Sequence, residues 1–139
     1  MQPLEWTSDD FVYEPQMDAD HQKLFADAEG VRQSLVFGKP ASQIGFQLWH
    51  LAKSFSAHVS SEERLMRRSR YPAFQWHEEQ HRAGRTKIAR LTQAAHRNDE
   101  LGLRDGLQDF ARWMQDHVRL ADRMFAAHLR NHERGRAAS

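Results

Sequence analysis

The chain has 139 residues, the size of one ordinary domain, and its 20 Lys and Arg residues nearly balance 19 Asp and Glu residues. The net charge of +1 argues against a dedicated nucleic-acid-binding protein, and no segment approaches the ~18–20 apolar residues that cross a bilayer. The absence of cysteine excludes disulfides, thiol catalysis and cysteine-ligated metals and suggests a cytoplasmic location, whereas nine histidines are unusual.

An irregular N-terminal arm over residues 1–17 precedes four segments with helical periodicity. The pattern predicts helices over 18–37, 42–70, 73–95 and 101–131, followed by a basic tail over 132–139. The segments are separated by Gly38-Lys39-Pro40, by Arg70-Tyr71-Pro72 and by a polar stretch over 96–100. Because short loops join long helices, we expect an all-α fold: a single-domain antiparallel up-down-up-down four-helix bundle over residues 1–139.

Ionisable side chains interrupt the apolar stripes of these helices. They stand where Leu or Val is expected, at His21, His58, Glu62, His77, His81 and His117. Burial of an unpaired charge costs several kcal/mol, so such residues are normally paired or bound to metal. His58 and Glu62 are four residues apart, as are His77 and His81, so each pair shares one helix face.

The remaining candidate ligand is Asp122, five residues after His117. In an α-helix this spacing separates the two side chains by about 140°, so the short carboxylate has to turn toward the common centre. Glu63, next to Glu62, is predicted to lie on the outer face of its helix.

Imidazole and carboxylate ligands without sulfur suit iron, manganese or zinc. Five histidines and two carboxylates are too many for one tetrahedral zinc ion. Two metal ions bridged by Glu62, Asp122 and a solvent-derived oxygen would use all seven residues and leave one coordination position open. A hydrogen-bonded polar network without metal is the alternative.

Two other motifs lie on the third predicted helix. His77-Glu78-Glu79-Gln80-His81 matches the H-E-x-x-H pattern of zinc proteases, but no strand pattern accompanies it. Glu78 and His81 form a Glu-x-x-His pair, which ferritin-like di-iron oxidases carry on two helices, and no second copy occurs. The remaining histidines, at positions 50, 96, 128 and 132, are expected to face solvent.

Several stretches resemble the hemerythrin family, in particular the bacteriohemerythrins, its stand-alone single-domain bacterial members. The resemblance extends from Trp6 to about Phe125. It rests on Met17-Asp18-Ala19-Asp20-His21-Gln22-Lys23-Leu24-Phe25, His58-Val59-Ser60-Ser61-Glu62-Glu63-Arg64-Leu65-Met66, Tyr71-Pro72, His77-Glu78-Glu79-Gln80-His81 and Trp113-Met114-Gln115-Asp116-His117, with Asp122 five residues on.

The resemblance implies a non-haem di-iron site with a bridging oxo or hydroxo group that binds O2 reversibly. By that match the saturated iron would be held by His77, His81 and His117, and the open iron by His21 and His58. Glu62 and Asp122 would bridge the two ions. Such a protein stores, delivers or senses O2 without turnover, and we expect it to be a monomer or a weak homo-oligomer.

The sequence departs from the family around the expected O2 pocket, whose residues would be Val59, Gly84, Trp113, Met114 and Val118. Val59 and Gly84 stand where larger apolar residues are common, which predicts a widened pocket unless Phe55 or an aromatic residue of the arm fills the space. A widened pocket favours the alternative function of a di-iron redox enzyme, namely an oxidase, a peroxidase or a nitric-oxide-handling protein. A non-catalytic iron store is a third reading.

Overall fold

The computed structural model describes residues 1–138 and contains helices without strands in that range. A short 3-10 helix, Ser8–Asp10, lies in the N-terminal arm. The main elements are α1 (Pro15–Val36), α2 (Ala41–Arg68), α3 (Phe74–His96), α4 (Glu100–His117), a π-helical segment (Val118–Asp122) and α5 (Arg123–Ala138). The helix reaches Ala138, so the predicted tail is helical where it is described, and Ser139 lies outside the described residues.

Local sequence signals explain where the helices begin and end. α1 begins three residues earlier than predicted because Pro15 occupies its first turn and the Glu14 carboxylate accepts a hydrogen bond from Met17 N–H at 2.7 Å. The Asp99 carboxylate caps α4 in the same way by accepting from Gly102 N–H at 2.9 Å. Between helices the backbone reverses through positive φ angles at Gly38 (65°) and Asn98 (54°).

The helices form a four-helix bundle, as predicted. α4, the π-helical segment and α5 together make its fourth helix, and each helix packs against its neighbours around the ring of four. Leu48, Leu51, Leu91, Phe110 and Phe125 are among the most deeply buried apolar side chains. Within residues 1–138, no helix combines the length and the apolar character needed to cross a membrane.

The N-terminal arm is fastened to the bundle by two buried carboxylates. Asp18 of α1 accepts hydrogen bonds from Val12 N–H at 2.8 Å and from Tyr13 N–H at 3.2 Å. Asp10 is fully buried and pairs with Arg119 of the π-helical segment at 2.8 Å. The arm therefore braces both α1 and the segment of the fourth helix that carries Asp122.

We expect Asp18→Ala to lower the free energy of unfolding by about 1–3 kcal/mol, because it leaves the buried Val12 N–H without an acceptor. Urea denaturation followed by circular dichroism would measure the change. Glu5→Ala, which removes an exposed carboxylate from the same arm, is the control and should have little effect. Equal stabilities for the two variants would contradict the bracing role of Asp18.

Candidate metal centre

The seven predicted metal ligands come together in the middle of the bundle. α1 supplies His21, α2 supplies His58 and Glu62, α3 supplies His77 and His81, and the fourth helix supplies His117 and Asp122. All seven side chains are buried, with between 0% and 8% of their surface exposed. Their ligand atoms form two groups, and within each group all atoms lie within 4.8 Å of one another.

Glu62 divides its two oxygens between these groups. Its Oε1 lies 2.7 Å from His77 Nε2 and 3.1 Å from His81 Nε2. Its Oε2 lies 3.1 Å from His58 Nε2, on the other side of the carboxylate. One carboxylate thus faces two sets of imidazoles, as a bridging ligand would.

Asp122 repeats this division from the opposite helix. Its Oδ1 lies 3.0 Å from His77 Nε2 and 3.1 Å from His117 Nε2, whereas its Oδ2 lies 2.9 Å from His21 Nε2. The two carboxylates therefore separate a three-histidine group from a two-histidine group. The three-histidine group contains His77, His81 and His117, and the two-histidine group contains His21 and His58.

The orientation of several ligand atoms fits metal coordination better than a hydrogen-bonded network. Nε2 of His21, Nε2 of His117 and Oε2 of Glu62 are buried and form no hydrogen bond with the described residues, although each lies within 3.1 Å of an opposite partner. Ligand atoms that converge to within 4.8 Å of one another without hydrogen bonding are arranged as they would be around a metal ion. Because the donor atoms are imidazole nitrogens and carboxylate oxygens, the site suits iron, manganese or zinc.

The π-helical segment brings Asp122 onto the same side of the helix as His117. The sequence-based expectation of a 140° separation assumed α-helical geometry and was wrong, because a π turn contains more residues than an α turn. Asp122 can therefore place Oδ1 3.1 Å from His117 Nε2. Single π turns inside α-helices are frequent at functional sites.

The buried charges shift the protonation of their neighbours. Burial alone would lower the pKa of His58, but its contacts with the Asp20 and Glu62 carboxylates raise it to about 10. Burial opposes a similar effect at His77, where contacts with Asp122 and Glu62 raise the pKa to about 9. Both imidazoles are therefore positively charged at neutral pH in the metal-free protein. A metal ion has to displace one proton from each ring to bind.

The two carboxylates respond in the opposite direction. Burial would raise the pKa of both Glu62 and Asp122, but the surrounding imidazoles lower both values below their usual range. The two acids consequently stay ionised at neutral pH. Their negative charges lie between the two histidine groups.

Three of the ligand histidines contact a second polar side chain through Nδ1. His58 contacts Asp20 Oδ2 at 3.0 Å, and His81 contacts Glu63 Oε2 at 2.7 Å. His117 contacts Gln80 Oε1 at 3.5 Å. Contacts of this kind fix the ring orientation and tautomer of a ligating histidine.

The placement of Glu63 corrects the expectation that it lies on an outer face. Glu63 is buried, with 8% of the residue exposed, because α3 covers this side of α2 and presents His81 and Arg85 to it. The adjacent acids Glu62 and Glu63 therefore have two different roles: Glu62 is a candidate ligand, and Glu63 contacts the candidate ligand His81. Asp20 likewise stands next to a candidate ligand, His21, and supports His58 on another helix.

The space beside Gly84 is occupied by neighbouring side chains, so the condition for a widened pocket is not met at this position. A Cβ atom built on Gly84 would overlap the indole of Trp113 and stand 2.7 Å from Phe55 Cζ. The Trp113 ring also stacks on His117, with 4.8 Å between centroids and 17° between planes. Phe55 occupies this space, as the alternative proposed, together with Trp113.

The other residues predicted for the pocket lie in the apolar core. Val59, Met114 and Val118 are each at most 2% exposed. The arm aromatics do not fill the space beside Gly84: Trp6 packs edge-on against Phe11 and Phe25.

The competing motifs on α3 do not build a second site. Glu78 is directed away from the ligand histidines and pairs with Arg82 at 3.0 Å and Arg67 at 3.9 Å. It is therefore not placed as the general base of a zinc protease or as a di-iron ligand. Among the other histidines, His96 is exposed, whereas His128 is half-buried and contacts the Ser69 carbonyl at 2.9 Å, which corrects its expected surface position.

A protein-family model described as the hemerythrin HHE cation binding domain matches residues 14–129. The chain belongs to the hemerythrin family. Neither the curated proteins nor the solved structures contain a match to this hemerythrin-family chain. The match spans every element that supplies a predicted ligand, so the family's cation-binding property and the buried histidine–carboxylate cluster support each other.

We expect His117→Ala to reduce the amount of iron bound per chain, because it removes one imidazole from the three-histidine group and leaves Asp122 Oδ1 with one fewer partner. Iron content after anaerobic loading and desalting measures this effect. His96→Ala, at an exposed position on α3, should retain the parent content. Equal iron contents in both variants would contradict the assignment of His117 as a ligand.

Proposed function

We propose that this hemerythrin-family protein holds two iron ions between its histidine groups and binds O2 reversibly. The observation that carries the proposal is the division of both carboxylates, each of which turns one oxygen toward three histidines and the other toward two. His77, His81 and His117 would hold one ion and His21 and His58 the other, with Glu62 and Asp122 bridging. A bound iron pair supplies the open position and the electrons that O2 binding requires.

The unequal number of histidines supports an open position on one side only. With two bridging carboxylates and one bridging oxo or hydroxo oxygen, three histidines complete six ligands and two histidines complete five. The open side would therefore be that of His21 and His58. A single open position accommodates a small diatomic molecule such as O2 and leaves no adjacent position for a second substrate.

The protein's own contribution is to keep the surroundings of that position apolar and dry. Val59, Met114 and Val118 are buried, and Trp113 covers the three-histidine side by stacking on His117. Exclusion of water and protons protects a reversible O2 complex from irreversible oxidation. The packed contact of Phe55 and Trp113 against Gly84 serves this exclusion.

The alternative of a di-iron redox enzyme has less support at Gly84 than the sequence suggested. It depended on a widened pocket at Val59 and Gly84, and the space at Gly84 is filled. Four further points stay predictions from the sequence. They are the binding of nitric oxide or peroxide, an iron-storage role, the cytoplasmic location, and a monomeric or weakly associated state. Storage, delivery and sensing of O2 are equally compatible with the proposed binding site.

The visible spectrum of the iron-loaded protein tests the proposal directly. We expect the protein reduced without oxygen to gain a coloured charge-transfer band in air and to lose that band when it is purged with inert gas. The cycle should repeat without added reductant, because reversible binding consumes no electrons overall. Direct and permanent conversion to a ferric spectrum would instead favour redox chemistry.

Gly84→Ala tests whether the packing of Trp113 and Phe55 against Gly84 protects the iron centre. The new methyl group has to displace the Trp113 indole or Phe55, which we expect to cost about 1–3 kcal/mol of stability and to speed irreversible oxidation in air. The decay rate of the coloured band and urea denaturation measure the two effects. The control is Gly45→Ala, at a helical glycine where the new methyl group meets nothing within 4 Å apart from its own stretch of helix, and it should preserve the decay rate. A slower decay in Gly84→Ala would show that the site was open there.

A further inference from the structure

A small cavity between α1 and α2 reaches the two-histidine side of the metal centre. Its volume is about 170 Å³, and its walls include His58, Asp20, Lys23 and Ser54. His58 is a wall residue of this cavity and a candidate metal ligand at once. The cavity therefore lies against the outer edge of that imidazole, on the side away from Glu62.

The Asp20 carboxylate contacts the imidazole of His58 at this outer edge. Its Oδ2 lies 3.0 Å from His58 Nδ1, and its Oδ1 accepts a hydrogen bond from Gln16 Nε2 at 2.9 Å. Because an ionised carboxylate only accepts hydrogen bonds, Nδ1 of His58 keeps its proton when a metal ion displaces the proton of Nε2, which faces Glu62 Oε2 at 3.1 Å. Both oxygens of Asp20 are thus engaged, and the imidazole plane is set by a carboxylate from another helix.

The other ligand histidines are supported differently. His21, the second member of the two-histidine group, has a buried Nδ1 that forms no hydrogen bond with the described residues. On the three-histidine side, Glu63 supports His81 but also lies 3.8 Å from the Arg85 guanidinium, which offsets its charge. The second oxygen of Asp20 meets the neutral amide of Gln16 instead. Within the two-histidine group, orientation and added negative charge therefore both come from Asp20.

We propose that Asp20 is a positioning residue for the two-histidine group: it fixes the His58 imidazole in the orientation and tautomer that bind metal, and its charge strengthens metal binding on that side alone. This inference rests on the metal-binding part of the proposed function and does not depend on O2.

Titration of the metal-free chain with Co²⁺, followed by its visible absorption, tests the proposal. We expect Asp20→Ala to weaken the binding of one Co²⁺ equivalent about 10–100-fold and to alter its absorption bands, with the other equivalent unchanged. Asp20→Asn keeps a hydrogen-bond acceptor for His58 without the charge and should give a smaller loss. Asp27→Ala removes the same charge from the same helix two turns away, near His50, and should leave both equivalents unchanged.

Added formate provides a second readout on Asp20→Ala. The substitution enlarges the cavity beside His58, so a formate ion can occupy the place of the lost carboxylate and should restore Co²⁺ affinity and the parent spectrum. Formate should have no effect on the parent or on Asp27→Ala. A rescue of this kind also establishes that the variant is folded.

The possible outcomes separate this proposal from the one before it. Unchanged Co²⁺ binding in Asp20→Ala, an equal loss in both equivalents, or the same loss in Asp27→Ala would overturn the role of Asp20 while leaving the metal centre intact. A parent chain that takes up no Co²⁺ would overturn the metal centre itself and the inference with it. Selective loss with rescue by formate would establish the role of Asp20.

Discussion

The structure depends on two carboxylates that lie side by side in the centre of the bundle. Glu62 and Asp122 are each at most 2% exposed, and their like charges repel each other. An uncompensated pair of this kind would cost several kcal/mol, so the bundle surrounds it with five imidazoles. In the metal-free protein, protons on His58 and His77 provide the compensating positive charge. Bound cations would provide the positive charge instead. The cluster therefore destabilises the apolar core when it is uncompensated, and it favours metal binding for the same reason.

The four helices divide the work of supporting this centre unequally. α2 contributes His58 and Glu62 one turn apart, and it also carries Glu63, which holds His81 from the side. α1 contributes one ligand, His21, and a supporting carboxylate at Asp20 that reaches across to α2. The ligands are therefore linked between helices through their outer nitrogens as well as through the shared carboxylates.

Much of this arrangement could be predicted from the sequence, because regular helices convert spacing directly into direction. His58 with Glu62 and His77 with His81 are four residues apart and do face one centre. Local backbone geometry and contacts between distant helices could not be predicted in the same way. The turn that rotates Asp122, the burial of Glu63 under α3 and the Trp113 ring beside Gly84 each depend on atoms from another part of the chain or on a departure from the α-helix. One signal was nevertheless present: His117, Ala121, Phe125 and Leu129 follow one another at steps of four, whereas a straight α-helical stripe alternates steps of three and four.

The π-helical segment also determines which residues of α5 face the bundle. One residue corresponds to about 100° of rotation in an α-helix, so the wider turn shifts the faces of α5 relative to those of α4. Phe125 and Leu129 are buried in that shifted phase, on the same helix that carries Asp122 inward. The same π-helical segment therefore directs both the hydrophobic face of α5 and the Asp122 carboxylate toward the interior of the bundle. A chain that shortened this turn by one residue would misdirect its ligand and its terminal packing together, so selection for a folded C-terminal helix also preserves the metal centre.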